Sequence, residues 1–476
     1  MKKVMTRLRK TVRNTGITIR TINNRRKIMN PQHKFTHVLL MVLACLVPLV
    51  TLFILMSIGM AIPSWYFWLV LLGGCLAMFY FMGGAPIKEK APASDAEPTE
   101  DKAVRADPAL VRSVEDIFKP LSQYASGEMT IVEGRLLTAP DNAYPVLKER
   151  FTNAGFKTYL QEDDAGRTLL ILAPLLSQPE KTKSALPWLN FVLFVATLLT
   201  TTWAGAAHQG VDIWAEPQKF AVGLPYALAL MLILGFHELG HYFTARVHGM
   251  KVTLPYFIPV PFALGTFGAF IQMKSSTENR RALFDVGVSG PLAGLVIAIP
   301  ALLIGLKYST IVMGSAEVGI MEGGASVGSS VLFALLAKLA LEGAITEGHQ
   351  LILHPLAFAG WLGLLVTALN LLPIGQLDGG HIAHALFGRK KGDTIGTVAL
   401  FSLFLLGLFV WSGFLMWAII AFFIAGTKSA PPLNDLSPLD SRRVAIGAFA
   451  FILLFLILMP VPHAFYQSLG IHCPYV

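Results

Sequence analysis

Charge is what this sequence has little of. Only 14% of its 476 residues are Asp, Glu, Lys or Arg, and 54% are hydrophobic; soluble domains carry about a quarter charged residues. Several apolar runs approach or exceed the ~18–20 residues that cross a bilayer, so a soluble protein whose every apolar run is a core helix is not expected. Cysteine is nearly missing too. Cys45 and Cys75 fall in apolar runs and Cys473 lies near the C-terminus, so neither a disulfide framework nor a cysteine metal site is indicated. Acidic residues are missing from 1–36, which hold eleven Lys/Arg. A nucleic-acid arm or an organellar transit peptide would have that composition, but a cytoplasmic anchor ahead of a first span fits better, and no nucleic-acid partner is expected. No small-residue cleavage site follows, so a cleaved secretory signal is not expected. No internal repeat supports a transporter with inverted halves.

What the chain does have is a series of apolar runs, at 38–60, 65–83, 187–206, 221–247, 284–306, 351–373, 396–411, 414–426 and 443–460. The pair at 396–426 reads either as one tilted helix or as a hairpin broken at Ser412-Gly413. Charge favours the hairpin. With nine spans and the N-terminus inside, only Lys219, Lys307 and Lys338 of the 38 Lys/Arg lie in outer segments, whereas a single helix would put Arg442 and Arg443 outside. The polar interval 86–185 holds 16 of the 29 acidic residues. It opens as a linker and then alternates: MTIVEGRLL as a strand, NAYPVLKERFTNAG as a helix closed by Gly155, KTYLQEDD and TLLILAP as two more strands. The expected fold is a polytopic α-helical membrane protein of about nine spans, with a small α/β extramembrane domain. Its expected parts are a basic cytoplasmic arm (1–36), a two-span hairpin (37–85), a linker (86–110), a cytoplasmic α/β domain (111–185), a membrane core (186–395) and C-terminal spans (396–476).

The run YALALMLILGF ends in HELGH. His237 and His241 are four residues apart, so on a helix they share a face. Two imidazoles at that spacing can bind one Zn²⁺, with Glu238 beside them as general base. Ionisable residues inside a span mark function by default, although hydrogen bonds to neighbouring helices or snorkelling to the interface would also accommodate them. A third ligand is available from NLLPIGQLDGG, 370–380. Pro373 breaks the helix, the glycines allow a tight path, and Asp378 then sits on a turn at the depth of His241, as a ligand or as a turn cap. Asn370 lies just before the break. Its amide can hold a peptide or a developing oxyanion, or make an interhelical hydrogen bond. His381 and His384 read as outer support or surface, His248 as facing the interface, Asp285 as a helix cap, and His354 has no assigned role.

His237-Glu238-Leu239-Gly240-His241 with Asn370, Pro373, Leu377, Asp378 and Gly379 resembles the site-2 protease family of intramembrane zinc metalloproteases. The resemblance covers roughly 187–430 and includes SGPLAGL, 289–295, and GTFGAFIQMKS, 265–275, the latter implying a membrane-associated β-region in addition to the helices. It implies one Zn²⁺ per chain held by His237, His241 and Asp378, with Glu238 as catalytic acid/base and Asn370 assisting substrate or transition-state binding. No PDZ domain fits between the two motifs. The αβ insert and ALNLLPIGQLDGG are similar to the branch called ethylene-dependent gravitropism-deficient and yellow-green.

On this resemblance the partners are membrane-protein substrates in a lipid bilayer, cut near the cytoplasmic side. The segment 252–275 suits an edge strand that holds an unwound substrate, or a re-entrant structural loop. A bacterial inner membrane is expected, N-terminus cytoplasmic and C-terminus outside, with a thylakoid or plastid membrane as alternative. The competing readings are a metal transporter or channel and an inactive protease-like scaffold. The sequence sets no oligomeric state.

Overall fold

The computed structural model describes residues 108–126, 128–163, 165–175, 187–261, 263–313, 330–341, 349–409 and 412–459. The basic arm, the 37–85 hairpin, nearly all of the linker and the three cysteines lie outside the described residues.

The α/β unit begins with a short helix α1 (Pro108–Arg112), then β1 (Phe118–Ser126), β2 (Met129–Leu136), α2 (Pro140–Asn153), β3 (Phe156–Glu162) and β4 (Thr168–Pro174). The strands form one antiparallel sheet in the order β1-β2-β4-β3. Strand β1 is absent from the sequence reading. It carries Pro120, shifts register between Pro120 and Ser122, and leaves most of its residues exposed, so the apolar alternation that marks a half-buried strand is missing. Helix α2 ends just before Gly155, whose φ of +86° suits only glycine without strain. Its Leu147 and Phe151 close over Val132, Leu160, Leu170 and Leu172, and none of the six retains exposed surface. Phe151→Ala is expected to destabilise this unit by about 3–5 kcal/mol. Hydrogen exchange should then accelerate in β4 and not in the membrane helices.

The rest runs as α3 (Pro187–His208), a 3₁₀ turn (Pro217–Gly223), α4 (Leu224–Val247), a hairpin of β5 (Tyr256–Pro259) and β6 (Thr266–Phe270), α5 (Arg280–Lys307), β7 (Thr310–Met313), α6 (Val331–Leu341), β8 (His349–Ile352), α7 (Pro355–Leu371), α8 (Asp378–Phe387), α9 (Arg389–Phe409), α10 (Ser412–Ile424) and α11 (Ser441–Leu458). Five described helices are long and apolar enough to cross a membrane: Trp188–His208, Pro217–Val247, Arg280–Lys307, Arg389–Leu408 and Ser441–Leu458. Three shorter apolar helices accompany them, and the chain is a polytopic membrane protein. The run at 396–426 is two helices, with Gly407 of α9 set directly against the backbone of Leu415 in α10. Between α5 and α7, where the sequence reading assigned no element, lie α6 and the antiparallel pair of β7 with β8. Four-residue strands are too short to show a period.

Helices α4, α5 and α7 form the centre, around Ile233, Leu295, Ala298, Leu302, Leu364 and Ala368. Gly360 lies against Leu302, and Gly363 against Ala298 and Ile233. Lipid tails are as apolar as leucine, so helices in a bilayer associate through close approach of this kind rather than through burial alone. Beside α3 and α4, Asn190 donates to the carbonyls of Leu254 (3.1 Å) and Pro255 (2.8 Å), and the Tyr226 hydroxyl donates to the Leu264 carbonyl at 2.9 Å. These bonds tie the β5–β6 hairpin to α3 and α4 along its length.

The α/β unit is joined to the membrane helices by main-chain hydrogen bonds. In the segment linking α10 to α11, the Leu433 carbonyl accepts from Leu160 and the Asp435 amide donates to Leu160, both at 2.8 Å. On its other side, Leu433 donates to Thr277 (2.9 Å) and Asn434 to Glu278 (2.8 Å). Residues 433–435 therefore bridge β3, through a single parallel contact of Asn434 with Leu160, to the residues that precede α5.

Candidate metal centre

Helix α4 is lined by leucine and alanine until Gly235, and then places His237 and His241 one turn apart. Their Nε2 atoms are 3.1 Å apart. The Asp378 Oδ2 lies 3.3 Å from each of them. A tetrahedral cation with ligand bonds of about 2.0–2.1 Å separates its ligand atoms by about 3.3–3.4 Å. The triangle thus has the dimensions of one face of such a site. Among the described residues these three are the one cluster of His, Cys, Asp and Glu with ligand atoms close enough to hold a metal ion.

The surroundings prepare the donors. Nδ1–H of His241 donates to the Val286 carbonyl at 2.8 Å, which leaves the Nε2 lone pair for a cation. Gly290 of α5 makes room for that ring, because a Cβ there would overlap Nε2, Cε1 and Cδ2 of His241. Gly240 of α4 packs against Ser289 and Ala293 of α5, bringing the two helices together at this level. Helix α7 ends at Leu371 ahead of Pro373, and Gly375 takes a φ of +47°. Gly379 and Gly380 then press against the backbone oxygens of Leu371 and Gly375, so the chain folds back sharply. Asp378 emerges as the first residue of α8 rather than on an open turn, where a helix N-terminus favours an ionised carboxylate.

Glu238 is 7% exposed and faces the same cluster, in electrostatic contact with the backbone of Ile271 just after β6. The Asn370 Nδ2 is 3.3 Å from His237 Nε2. All five residues singled out from the sequence therefore converge in one place. Three of them could hold a divalent cation while leaving a position open, and a carboxylate and an amide stand beside it.

Residues 225–410 match the profile of peptidase family M50. They are a peptidase family M50 domain. The chain is 30% identical over 360 residues to "Probable zinc metalloprotease EGY2, chloroplastic" of Arabidopsis thaliana, covering 74% of this chain and 63% of that protein. It is 35% identical over 250 residues to "Probable zinc metalloprotease EGY1, chloroplastic" of the same plant, covering 52% and 45%. With "Probable zinc metalloprotease EGY3, chloroplastic" of Oryza sativa subsp. indica it shares 28% over 399 residues, covering 76% and 65%. The chain thus spans less than two thirds of the length of these relatives. The M50 domain contains His237, Glu238, His241, Asn370 and Asp378.

The structure gives other histidines and acids of the M50 domain definite partners. Asp285 caps nothing: Asn279 caps α5, accepting from the Ala282 amide at 2.9 Å. Asp285 instead pairs with His248 (2.9 Å) and, bidentate, with Arg443. His354 is the N-cap of α7, its ring nitrogen accepting from the Leu356 amide. His384 is not on the surface but almost fully buried against Asp435. SGPLAGL is recognisable in the sequence, but the task of Gly290 is not. The small residues Gly287, Gly290 and Gly294, spaced by three and four on an apolar helix, are the signal for such a close approach.

Proposed function

We propose that the chain is an intramembrane zinc metalloendopeptidase that hydrolyses peptide bonds in transmembrane substrate helices near the cytoplasmic side. The observation that carries this reading is the triangle of His237, His241 and Asp378 with a non-ligand carboxylate, Glu238, next to it. The relatives' printed names, zinc metalloproteases, support zinc as the ion and hydrolysis as the chemistry. A transit site for metal would gain little from a buried carboxylate that ligates nothing.

A zinc ion held by His237, His241 and Asp378 supplies Lewis acidity for polarising a carbonyl and activating water. The residues of the chain do the rest. Glu238 takes a proton from water and returns it to the leaving amine. Asn370, beside His237, offers an uncharged donor to the peptide or to the oxyanion that develops. Backbone amides in a membrane helix are hidden by their own hydrogen bonds, so the substrate must unwind locally. The β5–β6 hairpin is fixed by Asn190 and Tyr226 and runs past Glu238, which makes it a suitable strand for receiving the unwound segment.

In the membrane we read nine spans, with the N-terminus on the cytoplasmic side, the C-terminus outside and the α/β unit cytoplasmic. The parts are those drawn from the sequence: a basic arm (1–36), a hairpin (37–85), a linker (86–110), an α/β domain (111–185), a protease core (186–395) and C-terminal spans (396–476). The chloroplastic relatives favour a thylakoid or plastid membrane over a bacterial inner membrane. The test is metal analysis joined to cleavage of a transmembrane reporter in detergent. One zinc per chain is expected, with cleavage lost on chelation and restored by zinc. Cleavage indifferent to chelation, or bound zinc with no cleavage, overturns the reading.

A further inference from the structure

Helix α8 begins with Asp378, and the segment between α10 and α11 holds that helix at three levels. Just ahead of it, the Gln376 amide donates to the Ala425 carbonyl at 3.0 Å. After one turn, His381 Nδ1 meets the Ser429 hydroxyl at 2.9 Å. After two turns, His384 Nε2 meets Asp435 Oδ1 at 2.9 Å, with His384 1% and Asp435 7% exposed. Six residues separate Asp378 from His384, so the two side chains project about 120° apart around an axis and ~9 Å along it. One end of a short rigid rod thus carries the carboxylate of the metal centre, and the other is hydrogen-bonded to Asp435.

The apolar contacts of α8 with Phe284, Val288, Leu371 and Ala450 are non-directional. A helix can rotate by some degrees on such a surface at little cost. A buried hydrogen bond between His384 and Asp435 has a preferred direction and fixes the rotation. A buried polar pair is also no better for stability than apolar residues of equal size, which argues that its contribution is orientation. Asp435 itself has little freedom, because its amide is bonded to Leu160 of β3 and its neighbours to Thr277 and Glu278.

We propose that His384 and Asp435 are positioning residues that set the rotation of α8 and so the reach of Asp378 toward His237 and His241. The main-chain bonds of Leu433 and Asp435 to Leu160 of β3 make the α/β unit the body against which the metal centre is registered. The proposal rests on the metal-centre reading above.

The test uses the full chain in detergent with Co²⁺ as the metal. Affinity is read by competition with a chelator, ligand field by visible absorption, and turnover as kcat and KM separately. H384L and D435A are expected to weaken Co²⁺ binding about tenfold, to alter its absorption, and to lower kcat with KM little changed. H384Q keeps an N–H where His384 Nε2 stood and D435N keeps an acceptor, so both should bind close to wild type. The apolar pair H384L/D435L removes both members of the pair, and Arg280, 3.9 Å from Asp435, keeps its bonds to the carbonyls of His384 and Ala385, so it is the variant suited to folding; it should bind Co²⁺ about as weakly as either single change. Unchanged affinity and spectrum in H384L/D435L, with wild-type hydrogen exchange in the α/β unit, overturns the positioning role and leaves the metal centre standing. A wild-type chain that binds no Co²⁺ overturns both.

Discussion

Glutamine at position 238 is expected to lower cleavage by about 10²–10⁴-fold, the usual contribution of a positioned general base, while the metal stays bound. The side chain keeps its size and its contact near Ile271, but an amide cannot accept the proton. The three ligand atoms belong to His237, His241 and Asp378, so Glu238→Gln removes none of them. In kinetic terms kcat should fall and KM should hold, since the lost interaction exists only in the transition state. Metal analysis and single-turnover cleavage on the same preparation make the measurement. Wild-type cleavage in the variant would remove Glu238 from the chemistry. Loss of metal would make it a ligand instead and change the reading of the centre.

Gly290→Ala is expected to abolish high-affinity metal binding, by more than about 100-fold, and cleavage with it. The new methyl group would occupy the position of the His241 ring. The ring cannot give way while Nδ1 holds the Val286 carbonyl, and moving it removes one of three donors. Gly294→Ala, one turn further along α5, is the control. Its Cβ would lie 3.4 Å from His237 Cβ and 3.5 Å from Nδ1, ordinary contact distances, so affinity within a few-fold of wild type is expected. Equal metal content in Gly290→Ala and wild type would show that the ring is free to move and that the helices are not held as described.

The parts of this molecule legible in its sequence are those with local periodicity. The histidine pair declares itself because four residues make one helical turn, and the break at Pro373 with its glycines marks where Asp378 must lie. Strands β2, β3 and β4 and helix α2 carry enough apolar residues to be read. Strand β1 does not, because most of its residues are exposed and its register shifts between Pro120 and Ser122, which removes the alternation. The pairing of Leu160 with the 433–435 segment spans more than half the sequence and has no local signal at all. Asp285 reads as a cap by its place near a helix start, but its bonds go to His248 and Arg443, which are distant in sequence. Gly290 could be noticed but not explained, since its purpose is a ring from another helix.

The bond between Leu160 and residues 433–435 has a consequence for biogenesis. Strand β3 waits for this bridge until α9 and α10 have emerged from the ribosome, some 270 residues after β3. If α8 takes its orientation from that bridge, a nascent chain carries a histidine pair but no completed centre, and hydrolytic competence is the final event of its own assembly.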